Sequence, residues 1–151
     1  MNFGGINIFN LIILFLFVGC SWQEYFLIAN HTNKDISITY TLAEIQSGFP
    51  IFTERAEIFK MNKSGDIIWE NRSPITDLDT SLQTVKVILH PNCILNFGHL
   101  SNDHYSAYNQ YFINDRKFNL EKLFVNKTEI IPETFDKYFK KDDGSIVYRI
   151  K

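Results

Sequence analysis

Residues 36–42 read Ile36-Ser37-Ile38-Thr39-Tyr40-Thr41-Leu42. Apolar and small polar side chains alternate along the whole stretch. A period of two places every second side chain on one face of an extended chain. The stretch therefore predicts a β-strand with Ile36, Ile38, Tyr40 and Leu42 on a core face and Ser37, Thr39 and Thr41 on the other. Upstream, Asn30-His31-Thr32-Asn33-Lys34-Asp35 is rich in turn formers, each able to hydrogen-bond or bend the local backbone. Before that turn, Tyr25-Phe26-Leu27-Ile28-Ala29 is a continuous apolar, β-prone run, and the two runs with the turn between them read as an opening hairpin.

Downstream the same grammar repeats. Ser47-Gly48-Phe49-Pro50 breaks the chain. Ala56-Glu57-Ile58-Phe59-Lys60-Met61, the turn Asn62-Lys63-Ser64-Gly65-Asp66 and Ile67-Ile68-Trp69-Glu70 form a second hairpin. Residues 71–82 are polar, hold Ser73-Pro74 and read as a loop. Thr84-Val85-Lys86-Val87-Ile88-Leu89 is a strand, closed by His90-Pro91-Asn92, and Cys93-Ile94-Leu95-Asn96-Phe97 is the next. Ser101-Asn102-Asp103 is able to cap a short helix over the following residues, or the segment is an irregular loop. Leu120 to Val125 is extended, Pro132 opens a short helix, and Ser145-Ile146-Val147-Tyr148-Arg149-Ile150 alternates as a last strand. Roughly seven or eight short strands with turn signals between them predict a mostly β protein. The expected architecture is an antiparallel β-sandwich, immunoglobulin-like or related, with one or two short helices.

Composition narrows the function. The formal net charge is −2, and Lys and Arg do not cluster, which argues against a nucleic-acid partner. Asn-x-Ser/Thr triplets at Asn30, Asn62, Asn71 and Asn126 read as turn chemistry. With only two cysteines, the core must form without a disulfide framework, and a chain of this length can do so.

The N-terminal stretch carries a different message. Leu11 to Val18 is unbroken apolar sequence, followed by Gly19 and Cys20. It falls far short of the ~20 residues that span a bilayer. The ending Phe17-Val18-Gly19-Cys20 resembles the lipobox of bacterial lipoprotein precursors, and the N-terminal part of the chain is similar to small lipoproteins of Bacteroidetes-type bacteria. That resemblance implies a signal peptide over residues 1–19, cleaved before Cys20, and a single domain over 20–151 carrying lipid on the Cys20 thiol. It implies a place in the bacterial envelope, with the outer membrane favoured because no Asp comes directly after Cys20. Cys93 is then left without an intramolecular partner and is expected buried and inert.

Three site candidates stand beside their plainer readings. Tyr105, Tyr108 and Tyr111 share a helical spacing with Phe112; they are a ligand-binding surface or a core-facing stripe. His90, Cys93, His99 and His104 have zinc- or copper-ligand chemistry but no standard spacing, and the expectation is no metal. Asp77 with Asp79, and Asp142 with Asp143, have calcium-ligand chemistry but read as turn formers. No nucleophile elbow, no His-Glu-x-x-His and no phosphate-binding glycine loop occurs, and no cofactor is implied. The expected function is non-enzymatic: a membrane-anchored envelope lipoprotein with a binding or assembly role. The alternatives are an envelope enzyme or metal protein using the His90–His104 region, and a surface-exposed protein that binds a glycan or peptide.

Overall fold

The computed structural model describes residues 21–74, 78–79 and 83–151. Cys20 and Asp77 lie outside them. In chain order the strands are β1 (Gln23–Asn30), β2 (Ile36–Leu42), β3 (Phe49–Pro50), β4 (Phe52–Met61), β5 (Ile67–Pro74), β6 (Leu78–Asp79) and β7 (Thr84–Leu89). Then come β8 (Cys93–Ser101), β9 (Arg116–Lys117), β10 (Leu120–Val125) and β11 (Thr128–Ile130). Helix α1 (Pro132–Tyr138) precedes β12 (Lys140–Asp142) and β13 (Ser145–Ile150).

The protein is mostly β, with one α-helix among the described residues, and its strands form a sandwich. One sheet has the order β12-β13-β1-β8-β4-β5 and the other β11-β10-β2-β7-β6, while β3 and β9 form a short ribbon. The core lies between the inner faces. It takes Phe26 and Ile28 from β1, Ile38 and Tyr40 from β2, and Leu95 and Phe97 from β8, all fully buried. Strand β2 shows the alternation of its sequence directly: Ile36, Ile38, Tyr40 and Leu42 are buried, and Ser37 is exposed. The Tyr40 hydroxyl donates to the Thr53 carbonyl at 2.8 Å. That bond satisfies the one polar atom an aromatic strand residue brings into the core.

Helix α1 begins at Pro132, whose missing N–H costs nothing at a helix start. Thr134 Oγ1 takes the Ile131 N–H at 3.2 Å and returns a bond to the Ile131 carbonyl. Phe135 and Phe139 stack at 4.0 Å between ring centroids and close one edge of the core.

Three features depart from the sequence reading. Strand β5 continues through Pro74 where a loop is expected. It is an edge strand, and proline is tolerated there because no ladder bond is lost. Strands β1 and β13 pair in parallel, Tyr25 opposite Ser145 through Asn30 opposite Ile150, so the larger sheet is mixed. Strands β1 and β2 lie in different sheets and form no hairpin. Residues 102–112 form an irregular loop, one of the two readings their sequence offers. Gln110 Oε1 takes the N–H of Ala107 at 3.0 Å and the hydroxyl of Ser106 at 2.9 Å. The side chain thus supplies the acceptor that a helical carbonyl would otherwise provide.

Candidate functional site

The tyrosine segment leaves the end of β8 and crosses the end of the sandwich where β1 begins. The structure separates its three tyrosines. Tyr105 is 7% exposed and belongs to the core, edge-on to Phe26 at 5.1 Å. Its hydroxyl donates to Asp136 Oδ1 at 2.5 Å. Burial and the neighbouring carboxylate raise its pKa well above the usual phenol range. Tyr108 is half-buried and packs on the core. Tyr111 is 94% exposed. Tyr108 and Tyr111 line a shallow hollow of about 490 Å³, with Arg116, Lys117 and Phe118 on its other side. Tyr105 does not line it.

Beneath this loop sits a charge the sequence reading did not single out. Glu24 is 2% exposed. Its Oε1 takes Lys141 Nζ at 2.6 Å and lies 3.1 Å from His104 Nδ1. Its Oε2 accepts the Tyr105 N–H at 2.8 Å. Burial alone raises the carboxyl's pKa; the bonds from Lys141, Tyr105 and His104 outweigh it and hold the group below its ordinary value. His104 also stacks on Trp22, with ring centroids 3.8 Å apart. The cluster ties the start of β1 to the aromatic loop and to β12.

The metal candidates disperse among other roles. His90 Nδ1 lies 2.8 Å from Asp35 Oδ1 on the surface. Cys93 faces the core beside Leu95 and Phe97, and burial raises its pKa against an opposing pull from Lys60. His99 projects outward from β8, and its pKa is lowered by partial burial and by Arg116. His104 is held by Glu24. Among the described residues no group of three His, Cys, Asp or Glu side chains is placed to hold a metal. Asp142 is paired with Arg149, and Asp143 is exposed.

A second concavity lies on the outer face of the larger sheet. Leu27, Ala29, Ile94 and Val147 form a second apolar cluster there with Phe59 and Met61. Strand β1 is therefore covered on both faces, which accounts for its continuous apolar sequence. The β4–β5 pairing carries a bulge: Phe59 faces Arg72 while Lys60 faces Ile68. Bulges re-aim side chains. Trp69, the first residue of this one, meets Tyr25 and Phe59, each at 5.1 Å between centroids. A slot of about 280 Å³ results, with Ile67 and Trp69 on one wall and Asp142, Asp143 and Arg149 on the other. His31 stands at one end, against Gly65. Gly65 has φ +91, and a Cβ there would lie 3.2 Å from the imidazole, so the turn and the histidine fit only with glycine. The apolar run at residues 25–29 was the available signal for this face; nothing in the sequence marks the bulge.

No helix among the described residues is long and apolar enough to cross a membrane. No protein-family model, no curated protein and no solved structure matches the chain.

Proposed function

We propose that this chain is a lipoprotein of the bacterial envelope, anchored in the outer membrane through Cys20, whose sandwich binds a glycan without catalysing a reaction. The anchoring rests on the ending Phe17-Val18-Gly19-Cys20. The observation that carries the binding role is the slot beside Trp69. Trp69 is 46% exposed although it sits on a sheet. Its ring offers a flat apolar face, while Asp142, Asp143 and Arg149 offer hydrogen-bonding groups opposite. A sugar ring presents that same division, apolar on its face and polar around its rim.

The test has two parts. Cys20→Ser abolishes lipid labelling of the full chain, and normal labelling of that variant refutes the anchor. Fragments of envelope glycan quench or shift tryptophan emission in the intact protein but not in Trp69→Ala. An unchanged response in Trp69→Ala removes the slot as the site.

A further inference from the structure

The aromatic loop sits beside Trp22, at the N-terminal end of β1. Trp22 is fixed there: its carbonyl accepts the Asn102 N–H at 3.0 Å and its N–H reaches Asn102 Oδ1 at 3.3 Å. Only Ser21 separates Trp22 from Cys20, and the two residue steps span at most about 7 Å. Asn114 Nδ2 donates in turn to the Asn102 carbonyl at 3.4 Å, so Ile113 stands next to the same point.

This end of the sandwich holds apolar side chains out in water by construction. Tyr111 is 94% exposed and Ile113 61%, whereas Phe112 between them is buried. The loop is closed on itself by Gln110, whose Nε2 donates to the His104 carbonyl at 2.5 Å. Asn114 and Asp115 hold positive φ values of 57° and 53°. Gly48, at φ +90, is packed so closely on Asp115 that an added Cβ would meet its carbonyl at 2.4 Å. That contact brings Phe49, also exposed, alongside, with Arg116 5.5 Å from its ring. Half of the large exposed apolar side chains among the described residues therefore belong to two clasped segments at one end. Arg116 Nε is buried there without a hydrogen-bond partner, and Lys117 lies beside it on the hollow, its Nζ 2.7 Å from Asp115 Oδ1 on the surface.

We infer that this end, with Tyr111, Ile113 and Phe49 at its surface and Arg116 and Lys117 between them, lies on the phospholipid surface that holds the lipid of Cys20. The inference rests on the anchoring proposed above. Short reach from the anchor brings this surface against the headgroups and no other. Aromatic rings settle at headgroup depth, and guanidinium and ammonium groups pair with phosphate while their stems cover apolar surface. The acyl chains supply the affinity. The loop fixes orientation, turning the His31 end of the outer slot away from the bilayer, because His31 follows the last residue of β1 and Trp22 precedes the first.

The test uses the full, lipid-modified chain on vesicles of phosphatidylethanolamine and phosphatidylglycerol. An environment-sensitive fluorophore is placed on Ile113→Cys and, separately, on Ile88→Cys, both in a Cys93→Ala background. Ile88 is exposed on β7 of the smaller sheet. On vesicles that float with the protein, emission at position 113 shifts to the blue and loses iodide quenching, and emission at position 88 does neither. Equal aqueous quenching at both positions in floated protein overturns the orientation and leaves the anchor standing. Failure of the protein to float overturns both.

Discussion

Glu24 carries a charge that is buried from solvent yet ionised, and its partners explain how. Replacing it by Gln preserves shape but removes the charge-assisted bonds from Lys141 and His104. Such bonds contribute about 1.5–3 kcal/mol. Denaturant melts of Glu24→Gln at neutral pH should show a loss of that size. The pH dependence has a definite sign. A carboxyl held below its ordinary value of 4.5 stabilises the fold above that value, and the stabilisation is lost as pH falls through the folded-state value. The gap between wild type and Glu24→Gln should therefore close in acid; a gap that persists there refutes the linkage. Cys93 gives a second prediction at this scale. Burial raises its pKa, so thiolate is scarce at neutral pH and alkylation is slow in the folded protein. Labelling becomes fast in denaturant, and rapid native labelling contradicts the burial. The alternation of Cys93 with Leu95 and Phe97 made this burial legible in the sequence. Glu24 was not legible, because its partners lie 80 to 117 positions away. The asparagines of the Asn-x-Ser/Thr triplets divide in the same way. Asn62 Oδ1 accepts local N–H groups of Ser64 and Asp66, as turn chemistry predicts. Asn30 also reaches the Leu89 carbonyl across the fold at 2.8 Å, which no local rule foresees.

At the scale of elements, period-two patterning identified strands wherever one face is buried and the other wet. Strand β2 is the test. Ile38→Asp puts an unpaired charge in the core and should cost about 3–5 kcal/mol, whereas Ser37→Asp, on the exposed face, should stay within roughly 0.5 kcal/mol. Equal destabilisation in chemical melts would contradict the facing. The reading lost information where a side chain replaces a backbone partner. Gln110 does so in the aromatic loop, and Asn119 does so at the start of β4. Asn119 is buried; its Oδ1 accepts the N–H of Ile51 at 3.1 Å and of Phe52 at 2.8 Å, and its Nδ2 donates to the Phe52 carbonyl. One asparagine thus docks the β3–β4 corner against the approach to β10. Asn119→Ala takes the 2.8 Å acceptor from the Phe52 N–H, while the Ile51 N–H keeps the Lys117 carbonyl at 3.1 Å; a group left buried and unpaired costs about 1–3 kcal/mol. Thermal melts should show a loss well beyond that of an ordinary surface change, and a neutral variant would show that water replaces the amide.

For the whole molecule, the longer strands were legible from local pattern, but the two- and three-residue strands β3, β6, β9, β11 and β12, and the order of strands within each sheet, were not. Alternation says which face of a strand is buried and is silent about its neighbour. The pairing of β1 with β13 is the extreme case, joining the first and last strands in parallel with Phe26 opposite Ile146 and Leu27 opposite Val147. These two residues of β13 are buried on opposite faces of the sheet, Ile146 in the core and Val147 in the outer cluster. Among the described residues, β13 is also the only strand with which β12 pairs, and β12 supplies the Lys141 that neutralises Glu24. Removing residues 145–151 therefore does more than trim an end. It leaves β1 an open edge, opens both apolar clusters and frees β12, and with it the cation beside a buried carboxylate. The expected outcome is a chain without a cooperative unfolding transition by circular dichroism, together with dye binding to exposed apolar surface. Because the closing strand comes last in sequence, long-range pairing must wait for it, and pairing of this kind folds slowly. Refolding of the intact protein from denaturant should accordingly fall in the millisecond-to-second range. A truncated chain that still melts in one sharp step would show that β8 and β4 alone hold β1, and that the parallel closure is an addition to the sandwich rather than its keystone.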